Sequence, residues 1–426
     1  MPTNPSNFTV RMYNVGFGDC FLLTIHYAKP LKDQHILIDF GSVAGKADLK
    51  AIAKEIKKEC DGKLYAVIAT HRHRDHISGF SDAGGKDSPG AIIASCKPEI
   101  VLQPWTENPD AAAKATSAPL FSKKKTVSDE KLFFASMSAM NAFAEAVVQQ
   151  APQWRGVGGH VTSLENLAIN NVSNPDAVKN LRKMGKQRPR FLQYGSPSGL
   201  ENSKMLPGVR VHVLGPPTLK EQNNLKYAKK SDEYWIACKY WGLQESASHL
   251  LGKVSLFRNQ SLKMKKLQPF QARWFIQHAD AAFRSNIFGI VTALDCFLNN
   301  TSLILLFEIN GKKLLFPGDA QLENWSWALS QPGTENLLKD VDFYKVGHHG
   351  SRNATPMSLW TIFSKRRGMT KSTVLKTMMS TSAGPYARTE EGKVPSTNLV
   401  KALQKGSVLK NTQKLKGARG PMRFEF

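Results

Sequence analysis

The chain has 426 residues, 41% of them apolar and 9% aromatic. That make-up excludes an intrinsically disordered or fibrous protein and is enough for a substantial buried core, as two or three domains or as one large domain with an insertion. Fifty-eight basic residues against 34 acidic ones give a net charge of +24, so a polyanionic partner is already worth considering.

Residues 8–25 alternate and then run apolar, break at Gly16 and Gly18, and resume in HILIDFGS, which predicts two strands joined by a loop around Pro30. Asp48 is placed to cap a helix through Ile52 and Ile56 that ends at Cys60, Asp61 and Gly62. LYAVIAT, residues 64–70, reads as a buried strand, so His71 onward falls on a loop at the carboxyl edge of a sheet. From 105 to 205, helix-forming stretches such as residues 131–150 alternate with loops and the basic run LRKMGKQRPR. A strand signal returns in GVRVHVLGPP, residues 208–217, and a second irregular basic segment covers 218–290. TSLILLFEINGKKLLFPGDA is a hairpin turning at Asn310 and Gly311, VDFYKVGHHGS is a strand entering a histidine-rich loop, and 358–364 reads as helix. Together these elements predict one α+β domain. Its core is 1–109, 206–217 and 291–400, its basic helical and irregular insertion about 110–205 and 218–290, and its basic C-terminal tail about 401–426.

The sharpest feature is THRHRDHISG, which sets His71, His73, Asp75 and His76 directly after an apolar strand. Alternate residues of an extended turn point the same way, so His71 and His73 can converge on one metal while Asp75 and His76 reach a second. Further ligands must come from other strand ends. Asp319 follows the strand LLFPGDA and could bridge two cations, and His348 and His349 end another strand. Asp39 ends ILIDFG and could accept a hydrogen bond from a ligand imidazole.

Through Asp39, His71, His73, Asp75, His76, Asp319 and the His348–His349 pair, the chain resembles the metallo-β-lactamase superfamily. YNVGFGDCFLL, NNTSLILLFEINGKKLLFPGDA and KVGHHGS narrow the resemblance to the metallo-hydrolase domain of competence-type DNA-uptake proteins. The matched pieces span roughly 8–105, 208–217 and 295–400. The resemblance implies a four-layered αββα sandwich with a one- or two-metal centre, usually zinc and sometimes manganese or iron, with Asp19 beside Asp39 behind the ligands. Most members of the superfamily supply one more histidine ligand before the G-D turn. Here the histidines in that stretch are His160, His212, His249 and His278. His212 alternates into an apolar strand as a structural residue, and His160 is the remaining loop candidate.

In such a centre Asp319 would bridge the cations, and Asp75 would orient the attacking water and accept a proton. His348, first after the strand, is taken as the ligand and His349 as the general acid, with the reverse assignment open. Ser351, Asn300 and Ser302 are candidate donors to substrate oxygens. The charge map bears on the substrate. Residues 1–109 and 291–364 sum to +1 and −2, whereas 110–290 carry +14 and 365–426 carry +11. Basic segments flanking a near-neutral core suit a nucleic acid, so the leading expectation is a nuclease or phosphodiesterase. A hydrolase of lactones, thioesters or phosphocholine esters with the insertion as lid, and a non-catalytic nucleic-acid-binding component, are the alternatives; part of the basic middle could also dock a protein partner. A di-iron oxidoreductase lacks the carboxylate or flavin partner it would need. Cys20, Cys60, Cys96, Cys238 and Cys296 form no C-x-x-C pair and read as reduced thiols. The polar, uncharged opening and the lack of any run of about 18 apolar residues predict a cytoplasmic protein with no membrane partner.

Overall fold

Alternating apolar strands and amphipathic helices build two mixed sheets in the computed structural model, which describes residues 4–43, 47–108, 174–201, 204–218, 298–367, 374–382, 394–414 and 420–426. In chain order the elements begin with β1 (Asn7–Met12), β2 (Cys20–His26), β3 (Gln34–Phe40), α1 (Leu49–Glu59), β4 (Ala66–Ile68), α2 (Arg74–Ile77), α3 (Pro89–Ala94) and β5 (Ile100–Pro104). There follow α4 (Pro175–Lys183), β6 (Arg190–Leu192), β7 (Val209–Gly215), β8 (Ile304–Ile309), β9 (Lys312–Phe316), α5 (Leu322–Ser330), α6 (Thr334–Lys339) and β10 (Phe343–Lys345). The last are α7 (Met357–Ile362), β11 (Lys376–Met379), α8 (Thr397–Gly406), β12 (Val408–Asn411) and β13 (Met422–Glu425).

One sheet has the order β13-β1-β2-β3-β4-β5-β6 and the other β12-β11-β10-β9-β8-β7. In each, antiparallel pairing at one side gives way to a parallel run: β3-β4-β5-β6 in the first, β9-β10-β11-β12 in the second. Successive side chains of a strand face opposite ways, and the burial follows that rule. Val10, Leu23, Ile36 and Ile38 meet Phe307, Leu314, Phe316 and Phe343 in one apolar core shared by both sheets. Leu22, Leu37, Val67 and Val101 face the other way and pack on Ala53 and Ile56 of α1, Ile93 of α3 and Leu181 of α4. Leu306, Leu315 and Tyr344 of the second sheet likewise cover Trp325 of α5, Leu338 of α6, Leu359 of α7 and Leu403 of α8. Each such aliphatic or Phe side chain removed from water contributes about 1.5–3 kcal/mol.

Local chemistry sets several boundaries. Asp48 Oδ1 accepts from Ala51 N at 3.0 Å and caps α1, whose last turn carries Lys57 and Lys58 against the helix dipole. Asn310 and Gly311, at φ 50° and 70°, make the tight β8-β9 turn. His212 pairs with Glu308 Oε2 at 3.2 Å across β7 and β8, which makes it a strand-face residue. Among the described residues no helix is long and apolar enough to cross a membrane, and Cys20, Cys60 and Cys96 are free thiols.

Two expected boundaries are corrected. Residues 174–201 do not belong to an insertion: α4 packs against the first sheet and β6 is its edge strand. Nor is 401–426 a tail, since β12 extends the second sheet and β13 pairs with β1 to complete the first. The alternation of Met422, Phe424 and Phe426 with Arg423 and Glu425 carries that strand, and its net charge hid it. Residues 131–150, His160, His249, His278, Cys238, Cys296 and most of the basic insertion lie outside the described residues.

His35 on β3 is buried, with Nδ1 3.1 Å from Thr24 Oγ1 on β2. Burial lowers it to about 4, whereas an unfolded histidine titrates near 6.5. The folded state therefore resists protonation, and its stability is complete above about pH 6.5 and falls as pH drops toward 4. His35→Gln is expected to remove that part of the slope, a differential of up to about 3 kcal/mol. Urea midpoints of both proteins at pH 7 and pH 4.5 check it.

Candidate metal centre

β3 closes on Asp39, β4 leads through Thr70 into His71, β9 into Asp319, β10 into His348 and His349, and β11 into Ser380. These strands run parallel within their sheets, so the residues collect at carboxyl strand ends, where open α/β sheets bind ligands. The two sheets are tied at this edge by Leu303 N–H, which donates to the Thr70 carbonyl at 2.9 Å.

The H-x-H-x-D-H segment changes conformation in its middle. His73 is extended and heads the single turn of α2, so His71 and His73 project from extended chain, and Asp75 and His76 from the helical turn. Two contacts hold this segment. Arg72 Nε and Nη2 donate to the two oxygens of Glu107, each at 2.8 Å, in a buried bidentate pair. On the other side, the chain around Gly18 and Gly41 lies against the backbone of α2. A Cβ on Gly41 would stand 2.5 Å from the Asp75 carbonyl carbon, and one on Gly18 2.7 Å from the Asp75 oxygen. Only glycine allows that approach, which Asp19 N–H secures by donating to the Asp75 carbonyl at 2.9 Å.

Three clusters of ligand-type atoms result, each with its atoms within 4.8 Å of one another: His71, His73 and Asp75; Asp75, His76, Asp319 and His349; and Asp19, Asp39 and His76. His71 Nε2 faces His73 Nδ1 at 3.0 Å. His349 Nε2 is 2.9 Å from Asp75 Oδ2 and 3.5 Å from Asp319 Oδ2, while its Nδ1–H donates to the Ser380 carbonyl at 3.0 Å. Asp39 accepts from Thr70 N and Thr70 Oγ1, both at 2.7 Å, and its Oδ2 is 2.9 Å from His76 Nδ1. Beneath the cluster, Lys345 Nζ is buried against Asp19 Oδ2, Asp319 Oδ1 at 3.1 Å and the Gly318 carbonyl at 2.8 Å.

The cluster divides its histidines electrostatically. Burial, reinforced by His76 and His73, holds His71 well below the usual imidazole range. Burial would also lower His76, but Asp319, Asp39 and Asp75 push it well above that range. His349 is raised in the same way, with Asp319 and Asp19 outweighing burial. Burial would raise Asp319, yet His76, Lys345 and His349 hold it well below the usual carboxylate range. Asp75, also buried, is held at about 2 by His76 and His349. Burial raises Asp19 against the pull of Lys345, and Lys345 itself stays above its usual range because Asp19 and Asp319 outweigh burial.

This site suits divalent cations on its own chemistry. Four carboxyl groups, Asp19, Asp39, Asp75 and Asp319, share a buried volume with one ammonium. His76 Nε2 and Asp319 Oδ2 lie 3.0 Å apart as a buried ion pair, and Asp19 Oδ1 beside them accepts no hydrogen bond among the described residues. Buried polar atoms left in that state are costly unless a ligand completes them.

The histidine pair reverses its expected order. His348 and His349 have φ of 44° and 52°, and that left-handed turn aims His349 into the cluster. His348 is partly exposed, its Nδ1 3.4 Å from Gln321 Nε2, and belongs to none of the three clusters. Its backbone N–H donates to Asp319 Oδ1 at 3.0 Å, and burial lowers its imidazole to about 4. Asn300 and Ser302, the candidate donors to substrate oxygens, are both engaged within the protein. Asn300 Oδ1 accepts from Gln321 N at 3.1 Å at the start of α5, and Ser302 Oγ accepts from Asp319 N at 3.1 Å; both side chains are buried. Ser351 is partly exposed and donates to Asn353 Oδ1 at 2.7 Å. Sequence reasoning missed Lys345, Glu107, Asn299 and Ser380. The lysine in FYKVGHH had a signal, since a charge at the end of an apolar strand needs a partner, and Asn299 opens the NNTS stretch that carries the resemblance, while Glu107 and Ser380 carry none in the chain itself.

Compared with known proteins, the sequence matches no family model and no curated protein.

Because the neighbouring carboxylates raise His76 and His349 above the usual imidazole range, a cation entering beside Asp319 competes with protons on both rings. Affinity for Zn²⁺ should therefore fall as pH drops below their raised range, by up to about tenfold per pH unit for each proton displaced. Calorimetric titration in buffers of different ionisation enthalpy counts those protons. Gly41→Ala is expected to shift α2 and lower both melting temperature and metal content, measured by calorimetry and metal analysis.

Proposed function

We propose that the chain is a metal-dependent hydrolase of the metallo-β-lactamase superfamily that cleaves phosphodiesters in nucleic acid. The outer helices on both sheets fit the four-layered αββα sandwich of that superfamily. The observation that carries the reading is the convergence of Asp75, His76, Asp319 and His349 beside the His71–His73 pair, all supplied by carboxyl strand ends. His71, His73 and Asp75 would hold one cation, and Asp75, His76, Asp319 and His349 a second. Histidine and carboxylate donors suit Zn²⁺, with Mn²⁺ as the harder alternative.

When bound, the cations supply Lewis acidity and bring the pKa of a water toward neutrality. The chain does the rest. Asp75, held ionised, lies between the two ligand groups, where it orients the attacking water and accepts its hydrogen bond. His349 is locked by Ser380, so its Nε2 keeps its aim. His348, neutral and partly exposed, is placed to hydrogen-bond a substrate oxygen outside the ligand clusters. Polyanion binding is assigned to the excess charge of 110–290 and 365–426, with 26 basic against 12 acidic and 14 basic against 3 acidic residues.

The test is incubation of protein loaded with Zn²⁺, and separately with Mn²⁺, with labelled single- and double-stranded DNA and RNA at low salt. Cleavage by the wild type, reduced about a hundredfold or more in Asp319→Ala and Asp319→Asn variants that remain folded, is the expected result. Salt-sensitive binding without cleavage would reassign the chain as a binding component. Neither binding nor cleavage would remove nucleic acid as substrate and leave small esters to be assayed.

A further inference from the structure

Asn299 is fully buried at the His71–His73 end of the centre, in the turn that precedes β8. Its Oδ1 lies 3.0 Å from His73 Nδ1, which is itself 3.0 Å from His71 Nε2. Hydrogen-bond bookkeeping then assigns the atoms. Thr70 Oγ1 donates its one hydrogen to Asp39 Oδ2 at 2.7 Å, so toward His71 Nδ1, 3.3 Å away, it acts as acceptor. His71 therefore carries its hydrogen on Nδ1 and presents a bare electron pair at Nε2. A carboxamide oxygen is also an acceptor, so two electron pairs face His73 Nδ1 from different elements. One N–H divided between two acceptors is a weak arrangement, whereas three electron-pair donors, with His73 Nδ1 3.0 Å from each of the other two, suit a cation. Turning the His73 tautomer, with the hydrogen on Nε2, makes Nδ1 the third electron pair.

The turn fixes Asn299 in place. Thr301 N–H and Oγ1 both donate to the Leu298 carbonyl, at 3.1 and 2.7 Å, and Ser302 N–H donates to the Asn299 carbonyl at 3.1 Å. The next side chains are committed elsewhere, Asn300 to the start of α5 and Ser302 to Asp319. Asn299 is the one amide in this turn directed at a histidine.

We infer that the Asn299 carboxamide oxygen is a protein ligand, together with His71 Nε2 and His73 Nδ1, of the first cation in this centre. This rests on the metal-centre reading. It also sets selectivity: a neutral amide oxygen is a harder donor than imidazole, so this half of the centre accepts Mn²⁺ more readily than an all-histidine site would.

The experiment measures binding rather than turnover. Full-length wild type, Asn299→Ala, Asn299→His, Asn299→Asp and Asp319→Ala are dialysed against Zn²⁺, Mn²⁺ or Co²⁺ with metal analysis, Co²⁺ absorption spectra and melting curves. The inference expects two cations per wild-type chain. Asn299→Ala should retain one at wild-type affinity and bind the other at least about tenfold more weakly, with a changed Co²⁺ spectrum. Asn299→His and Asn299→Asp should restore the second cation, and Asn299→His should move the preference toward Zn²⁺. If Asn299→Ala does not fold, the His and Asp variants decide. Two cations at unchanged affinity and spectrum in Asn299→Ala, or His and Asp variants as impaired as Ala, overturn the inference alone. A wild type that binds no cation, or Asp319→Ala that binds as the wild type does, overturns the metal-centre reading beneath it.

Discussion

Four buried carboxyl groups around a single buried ammonium are the constraint on which the architecture of this edge depends. Moving a carboxylate out of water costs several kcal/mol unless opposite charge and hydrogen bonds compensate. Lys345 compensates Asp19 and one oxygen of Asp319, and Thr70 satisfies Asp39. The remaining demand falls on His76 and His349, which is why both are driven toward the charged state although burial opposes it. An apolar edge would be cheaper to fold, so the arrangement reads as a place kept for positive charge.

The fold supplies what that cluster needs by bringing parallel strand ends from two sheets together. A parallel strand ends where its neighbours end, so each sheet delivers a row of side chains at one edge. The Leu303–Thr70 bond joins those rows, and the glycines at 18 and 41 let the chain before α2 approach the backbone of Asp75. Left-handed backbone at Asp39, His348 and His349 adds strain of about 1 kcal/mol or more at each residue. Such strain persists only where surrounding contacts over-determine the geometry, and all three residues lie within one site.

What was legible in the sequence was local. The Asp48 cap, the Asn310–Gly311 turn and the strand before His71 follow from rules spanning a few residues, and H-x-H-x-D-H sets four ligand-type side chains within six positions. Which of His348 and His349 turns inward was not legible, because it depends on a left-handed turn that no spacing rule encodes. Strand β6, with three residues, and β13, with four in a lysine-rich region, fell below the length at which periodicity is informative. The protein partners of Asn300 and Ser302 were not legible, since a polar side chain in a loop does not declare what it meets. Asn299 opens the NNTS stretch that carries the resemblance, but an amide is common in turns, and its distance to His73 is what gives it a role.

The two halves of the proposed centre differ in what a cation would have to displace. The Asp75, His76, Asp319 and His349 cluster is rich in negative charge, but its imidazoles are raised, so protons compete with a cation there. The His71–His73 end contains an imidazole already held neutral and a neutral amide, so a cation there displaces less proton but gains less from charge. Falling pH would therefore weaken a cation in the carboxylate half more steeply than one in the other. Asp75 belongs to both clusters, so filling the first half commits its carboxylate and alters the charge the second half offers. Proton inventory and metal occupancy are thus linked through one shared side chain.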